Sequence, residues 1–156
     1  MSSAKSTRSA PSSVPANTIV SSLLTVETSG AGFVDITSEI AKFLREVRAR
    51  EGALTLFIRH TSASLTIQEN ADPSVLADLM TALGRLAPEN AGWRHDTEGP
   101  DDMPAHIKTM LTATSLHIPV LSGELALGTW QAIYLIEHRA RPHAREIVLQ
   151  FAGATI

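Results

Sequence analysis

The sequence predicts an α+β fold, a single domain with a mixed or largely antiparallel sheet and about three helices packed on it. Three observations predict it. Segments with a two-residue apolar period outnumber segments with a helical period. The helical segments interrupt runs of strands instead of following each strand, as a doubly wound α/β chain would require. The chain of 156 residues is long enough to bury one sizeable core, with no internal repeat and no sign of a second domain.

The opening segment MSSAKSTRSAPSSVPAN is rich in Ser, Ala and Pro and holds no acid and almost no apolar side chain. Such a segment cannot offset its ordering entropy by burial, so residues 1–16 are expected to be a disordered tail and 17–156 the domain. The tail also lacks the apolar stretch of a secretory signal. TIVSSLLTVET is β-branched and partly alternating, which makes it the first strand; SGAG turns the chain and FVDI begins the second. Thr37 or Ser38 then caps a helix whose Ile40, Phe43, Leu44 and Val47 share a face, with Gly52 expected to stop it. In ALTLFIR, Leu54, Leu56 and Ile58 alternate against Thr55, Phe57 and Arg59, and ASLTIQ repeats the pattern with Leu65 and Ile67.

Asp72 and Pro73 form a helix start, N-cap followed by a proline at the first helical position. Val75, Leu76, Leu79, Met80, Leu83 and Leu86 continue that helix as its apolar face. A long loop from about Ala87 to Met103 follows, and Pro104 begins a third helix through about Thr114. LHIPV is a strand and SGE a turn. LALGTWQAIYLIEH supplies two strands bent at Gly128, and REIVLQFAG is the last strand.

Composition narrows the function classes. A formal charge of −3 gives no long-range attraction for nucleic acid or an anionic membrane, and neither is expected as a partner. No apolar run approaches the ~20 residues of a membrane helix. The absence of cysteine removes disulfides, thiolate zinc sites and a cysteine nucleophile, and fits a cytoplasmic protein. There is no GxSxG elbow and no phosphate-binding glycine motif.

Three polar stretches need explaining. RHTSASLTIQENADP sets His60, Thr61, Ser62 and Ser64 after a strand, then Glu69, Asn70 and Asp72 before a helix. Hydroxyls beside a histidine can donate to phosphate oxygens, or satisfy backbone groups at a strand end. HDTEGPDDMPAHIK gathers His95, Asp96, Glu98, Asp101, Asp102, His106 and Lys108. Imidazoles and carboxylates suit zinc, magnesium or manganese, although a solvated loop with Asp102 capping the third helix would look the same. In GTWQAIYLIEHR, alternation places Gln131, Ile133, Leu135 and Glu137 on one face, so Glu137 projects from apolar company. A carboxylate there is costly unless paired or bound to a cation. Trp130 reads most simply as a core residue.

Together these stretches, in this order and from about Thr18 to Gly153, resemble the YjbQ-like family, whose members are often labelled secondary thiamine-phosphate synthases. The resemblance rests on HTSASLTI, the EN-D-P residues at 69–73, HD-EG-DDMP-HIK and GTWQ-I-L-EHR. It implies a homotrimer and a polar pocket that holds a metal ion or an anion. Carried over by motif, His60, His95 and His106 would ligate a divalent metal, with zinc favoured and magnesium fitting a diphosphate substrate. His60, Ser62, Glu69, Lys108 and Glu137 would be catalytic. Thr61, Ser64, Asn70, Asp72, Thr129 and Gln131 would bind a small phosphorylated metabolite. The expected reaction joins an aminopyrimidine methyl diphosphate to a thiazole phosphate with release of pyrophosphate. A zinc-dependent hydrolase and a non-catalytic phosphometabolite-binding protein are the alternatives. Ala132, where many relatives have glycine, and the serine-rich tail depart from the family pattern.

Overall fold

The alternating segments form eight strands in two antiparallel sheets, and the helical ones form three helices, in a computed structural model that describes residues 4–156. The first three residues of the expected tail lie outside the described residues, and residues 4–17 carry no helix or strand. The elements are β1 (Thr18–Glu27), β2 (Gly32–Asp35), α1 (Thr37–Glu46), β3 (Ala49–Ile58), β4 (Ala63–Glu69), α2 (Pro73–Leu86), α3 (Asp102–Leu111), β5 (Ser115–Leu121), β6 (Glu124–Leu125), β7 (Gln131–Glu137) and β8 (Ala144–Thr155). One sheet runs β1-β8-β3-β5-β6 and the other β2-β7-β4. The domain is α+β, as the periodicity predicts, with its antiparallel strands divided between two sheets.

The core lies where the inner faces of both sheets meet α1. Leu54, Leu56 and Ile58 of β3, Ile147, Leu149 and Phe151 of β8, Leu65 of β4, and Ile133 and Leu135 of β7 are buried together with Ile40, Phe43 and Leu44 of α1. From Ala132 to Glu137 every residue of β7 is buried, so this central strand of the smaller sheet is covered on both faces.

Local chemistry explains the boundaries. The Asp72 side chain accepts from the Ser74 N–H, with Pro73 in the first helical turn, so α2 starts where the sequence places it. The expected cap of α1 is not made. Ile36 occupies the N-cap position, and the Thr37 hydroxyl accepts from the Ile133 N–H across to β7. Nor does Gly52 stop that helix. The chain turns at Arg48, which takes a positive φ of 53°, and β3 has already begun at Ala49. Gly52 instead lies in β3 against β8, where a Cβ would stand 2.3 Å from the Ala152 carbonyl oxygen. Ser122 and Gly123, both with positive φ, make the two-residue turn between β5 and β6. That leaves β6 only two residues long, so the bend expected at Gly128 is a loop before β7. Asp102 is not the cap of α3; Asp101 precedes the helix, and neither it nor Asp102 caps it through a side chain. Among the described residues no helix is long and apolar enough to cross a membrane.

Candidate metal and anion site

Strand β7 of the smaller sheet and β8 of the larger one come together at one end, and the polar residues gather there. The inward row of β7 continues from Ile133 and Leu135 to Glu137, and that of β8 begins with Arg145 before Ile147. Glu137 and Arg145, 0% and 3% exposed, meet between the two sheets. Arg145 donates to Glu137 through Nη2 at 2.6 Å and Nε at 2.7 Å, and the Thr28 hydroxyl and Arg139 N–H complete the carboxylate's shell at 2.9 Å each. Burial pushes the Glu137 carboxyl up, but these donors, Arg145 foremost, overcome it and hold the group below its ordinary 4.5. Arg145 Nη2 also donates to the Ser62 hydroxyl at 3.0 Å. The cation that Glu137 requires is thus supplied by the protein.

Immediately beyond Glu137, the Arg139 guanidinium pins down the long loop. It donates to Asp101 at 3.1 Å, to Asp102, and to the Glu98 carbonyl at 2.7 Å. Asp102 is buried, and its second oxygen faces two imidazoles, His95 Nε2 at 2.7 Å and His106 Nε2 at 3.4 Å. His106 lies one helical turn after Asp102, and its Nδ1 is bonded to the Thr61 carbonyl at 2.9 Å. A carbonyl only accepts, so Nδ1 carries a proton and, in the neutral ring, Nε2 is the nitrogen with the lone pair. His106 Nε2 is left facing Asp102 Oδ2, so in the neutral imidazole this nitrogen and the carboxylate oxygen are both available to a cation.

The donor set suits a metal ion. One ligand atom each from His95, Asp102 and His106 lies within 4.8 Å of the others. Tetrahedral zinc with ligands at ~2.0–2.1 Å sets its donor atoms about 3.3 Å apart. The 3.4 Å separation already matches, and the 2.7 Å hydrogen bond would open by roughly half an ångström. Arg139 holds the other Asp102 oxygen, as outer partners of ligating carboxylates do.

The residues singled out from the sequence divide between the two ends of the smaller sheet. Thr61, Ser62, Ser64, His95, His106, Lys108 and Glu137 lie at this end. Ser64 Oγ is buried 2.8 Å from His138 Nε2 and accepts from Thr112 at 2.6 Å. His60 is here too, but its Nε2 accepts from the Glu146 N–H at 2.8 Å, so that lone pair is taken and the ligand cluster has Asp102 in the place expected for His60. Burial, and then the Arg145 charge, lower the pKa of His60. Glu69, Asn70, Thr129 and Gln131 lie at the other end, beyond the six residue steps of β7, which is about 20 Å. Glu69 and Gln131 border an open cleft of about 520 Å³ beside Trp130, which is 65% exposed and no core residue. Gln131 Oε1 accepts from the Gly128 N–H, and Asp72 is spent on its cap.

Sequence reasoning gave Arg139 and Arg145 no role, and left Asp102 between a carboxylate ligand and a helix cap without naming it in the metal set. The alternation that singles out Glu137 also places Arg145 inward on β8, so that cation was detectable. The position of Arg139 depends on how the long loop folds back, which no local period records.

This fold and centre define a class, a two-sheet α+β domain with a histidine–carboxylate cluster held by an arginine at the end of its smaller sheet. The chain belongs to the YjbQ-like UPF0047 family, whose model matches residues 22–154. It is 49% identical over 132 residues to the UPF0047 protein sll1880 of Synechocystis, covering 84% of this chain and 90% of that protein. It is 44% identical to YjbQ of Escherichia coli O157:H7 over 131 residues, 83% of this chain and 95% of that one. Among solved structures, an uncharacterized YjbQ/UPF0047 protein of Clostridium acetobutylicum matches with a TM-score of 0.76 and 35% identity, over 83% of this chain and 98% of that one. The hypothetical protein APE1520 of Aeropyrum pernix matches with a TM-score of 0.80 and 27% identity, over 86% and 99% of the two chains.

Proposed function

We propose that the protein is a divalent-metal enzyme acting on a small phosphorylated metabolite, with His95, Asp102 and His106 holding zinc. One observation carries the reading: the buried Asp102 carboxylate oxygen has His95 Nε2 at 2.7 Å and His106 Nε2 at 3.4 Å, three potential ligand atoms within 4.8 Å of one another. The metal would supply positive charge to phosphate oxygens, or magnesium would do so with a diphosphate substrate. Arg139 keeps Asp102 oriented and His106 is fixed by the Thr61 carbonyl, so the ligands need little reorganisation. His95 is about half exposed, which leaves the centre open to a substrate from solvent.

The reaction we assign is the one the motif resemblance implies, transfer of an aminopyrimidine methyl group from its diphosphate to a thiazole phosphate. The thiazole nitrogen forms a bond to the methylene carbon as the carbon–oxygen bond to diphosphate breaks, and the electron pair leaves with pyrophosphate. Lys108, on the same helix as His106, would supply a cation to that leaving group. The protein would work as a cytoplasmic homotrimer. Met110 and Leu111, 85% and 54% exposed at the end of α3, support burial of this region on assembly. A hydrolase is a second reading, favoured by the solvent access of His95, which would admit water as readily as a thiazole. Incubation of the zinc-loaded and magnesium-loaded protein with both substrates tests these readings. Pyrophosphate and thiamine phosphate in equal amounts support the transferase, while pyrophosphate without thiamine phosphate supports the hydrolase. No turnover above a His106→Ala control overturns both.

A further inference from the structure

A second cavity, of about 560 Å³, lies between α1, the β5–β6 hairpin and the end of β8. Its apolar lining includes Leu44, Leu125 and Leu127, and Arg45 and Arg48 supply cations on its wall. Among the described residues neither arginine lies within salt-bridge distance of a carboxylate; the nearest such pair on α1 is Lys42 with Glu46. Both arginines complement the C-terminal end of the α1 dipole, but that role asks only for charge near the last turn. Arg48 also takes φ 53° just after the helix, where its N–H bonds the Arg45 carbonyl and the chain turns into β3, a position glycine fills freely and a side chain fills under strain.

The geometry points to a binding site for an amphiphilic carboxylate, an acyl chain on the leucine floor with its carboxylate between the Arg45 and Arg48 guanidiniums. An uncharged amphiphile would satisfy the floor and leave the arginines unused. Inorganic phosphate would meet the arginines and leave the apolar floor wet. The acyl carboxylate answers both, and arginine is suited to it because its planar fork matches a carboxylate's two oxygens. Glu124 also lines the cavity, and its charge sets the limit on how tightly an anion binds. The site is separate from the histidine centre and does not depend on the reaction assigned there.

Arg48→Gly separates the two roles of this residue, because glycine relieves the backbone while removing the guanidinium. Titration calorimetry of the full chain with octanoate, 1-octanol and inorganic phosphate reads the site. The expected result is saturable binding of one octanoate per chain, with octanol and phosphate each weaker by about tenfold. Arg48→Gly and Arg45→Gln should each weaken octanoate by roughly tenfold, while Arg48→Gly melts no lower than the unaltered protein. Equal binding of octanol and octanoate, octanoate binding unchanged by both variants, or no saturable binding at millimolar octanoate would overturn the assignment.

Discussion

Replacing Glu137 by Gln tests whether the ion pair between the sheets is as dry as its burial indicates. The carboxylate accepts four hydrogen bonds, two from Arg145 and one each from Thr28 and the Arg139 backbone. Glutamine preserves the shape but sets an NH2 against donors and leaves the Arg145 guanidinium charged at 3% exposure. Removing one member of a buried pair costs about 3–5 kcal/mol, since the remaining charge stays desolvated. Against a total stability of ~5–15 kcal/mol, that is a large share. With a urea m-value of ~2 kcal/mol/M, the unfolding midpoint followed by far-ultraviolet circular dichroism should fall by about 2 M. The loss should be repaired by Glu137→Leu combined with Arg145→Met, which removes both charges and roughly keeps the volume. The wild-type protein should show the same dependence through pH. The folded carboxyl titrates below its ordinary 4.5, so the stabilisation is present above that value and is lost as acid passes down through the folded pKa. A midpoint shift under about 0.5 M, or a double variant no better than the single, would refute the reasoning.

Further outcomes follow from other residues. His138 is buried with Nδ1 lacking a partner, and burial, then the Lys108 charge, lower its pKa from 6.5 to about 4. The unfolded chain therefore takes up this proton first as pH falls, and wild-type stability should drop by roughly 3 kcal/mol between pH 7 and 4, a decline that His138→Asn should largely flatten. Asp72→Ala should cost about 1 kcal/mol by removing the N-cap of α2, measured by thermal melting, and Asp72→Ser should restore most of it. Arg48→Gly should gain about 1 kcal/mol in urea titration, because glycine adopts the positive φ without strain.

The elements that local chemistry specifies were legible in the sequence. The alternation of Leu54, Leu56 and Ile58 gives β3, and the Asp72–Pro73 pair gives the start of α2. The start of α1 was placed within a residue or two but its cap was not legible, because Thr37 turns its hydroxyl toward β7, a partner 96 residues away. The division of the strands into two sheets was likewise hidden, since a strand's period says which face is buried and not which neighbour pairs with it. At the site, Glu137 was marked by a charge in an apolar row, and Arg145 carries the mirror of that mark. The motifs put His95 and His106 in one stretch, and the structure brings them to Asp102, whose orientation depends on Arg139 reaching across 37 positions. Motif residues such as Glu69 and Gln131 sit about 20 Å from that centre in the chain, because a strand carries its two ends apart however close they stand in a motif.

The central claim is that His95, Asp102 and His106 form a metal centre, and zinc content per chain tests it most directly. Protein equilibrated with one micromolar-range excess of zinc, dialysed and measured by plasma mass spectrometry should retain one equivalent per chain. Asp102→Asn and His106→Ala should retain almost none while keeping the wild-type circular dichroism, whereas His60→Ala, whose Nε2 is engaged by the Glu146 N–H, should retain zinc as the wild type does. Zinc absent from the wild type, or held undiminished by both the Asp102 and His106 variants, would contradict the account.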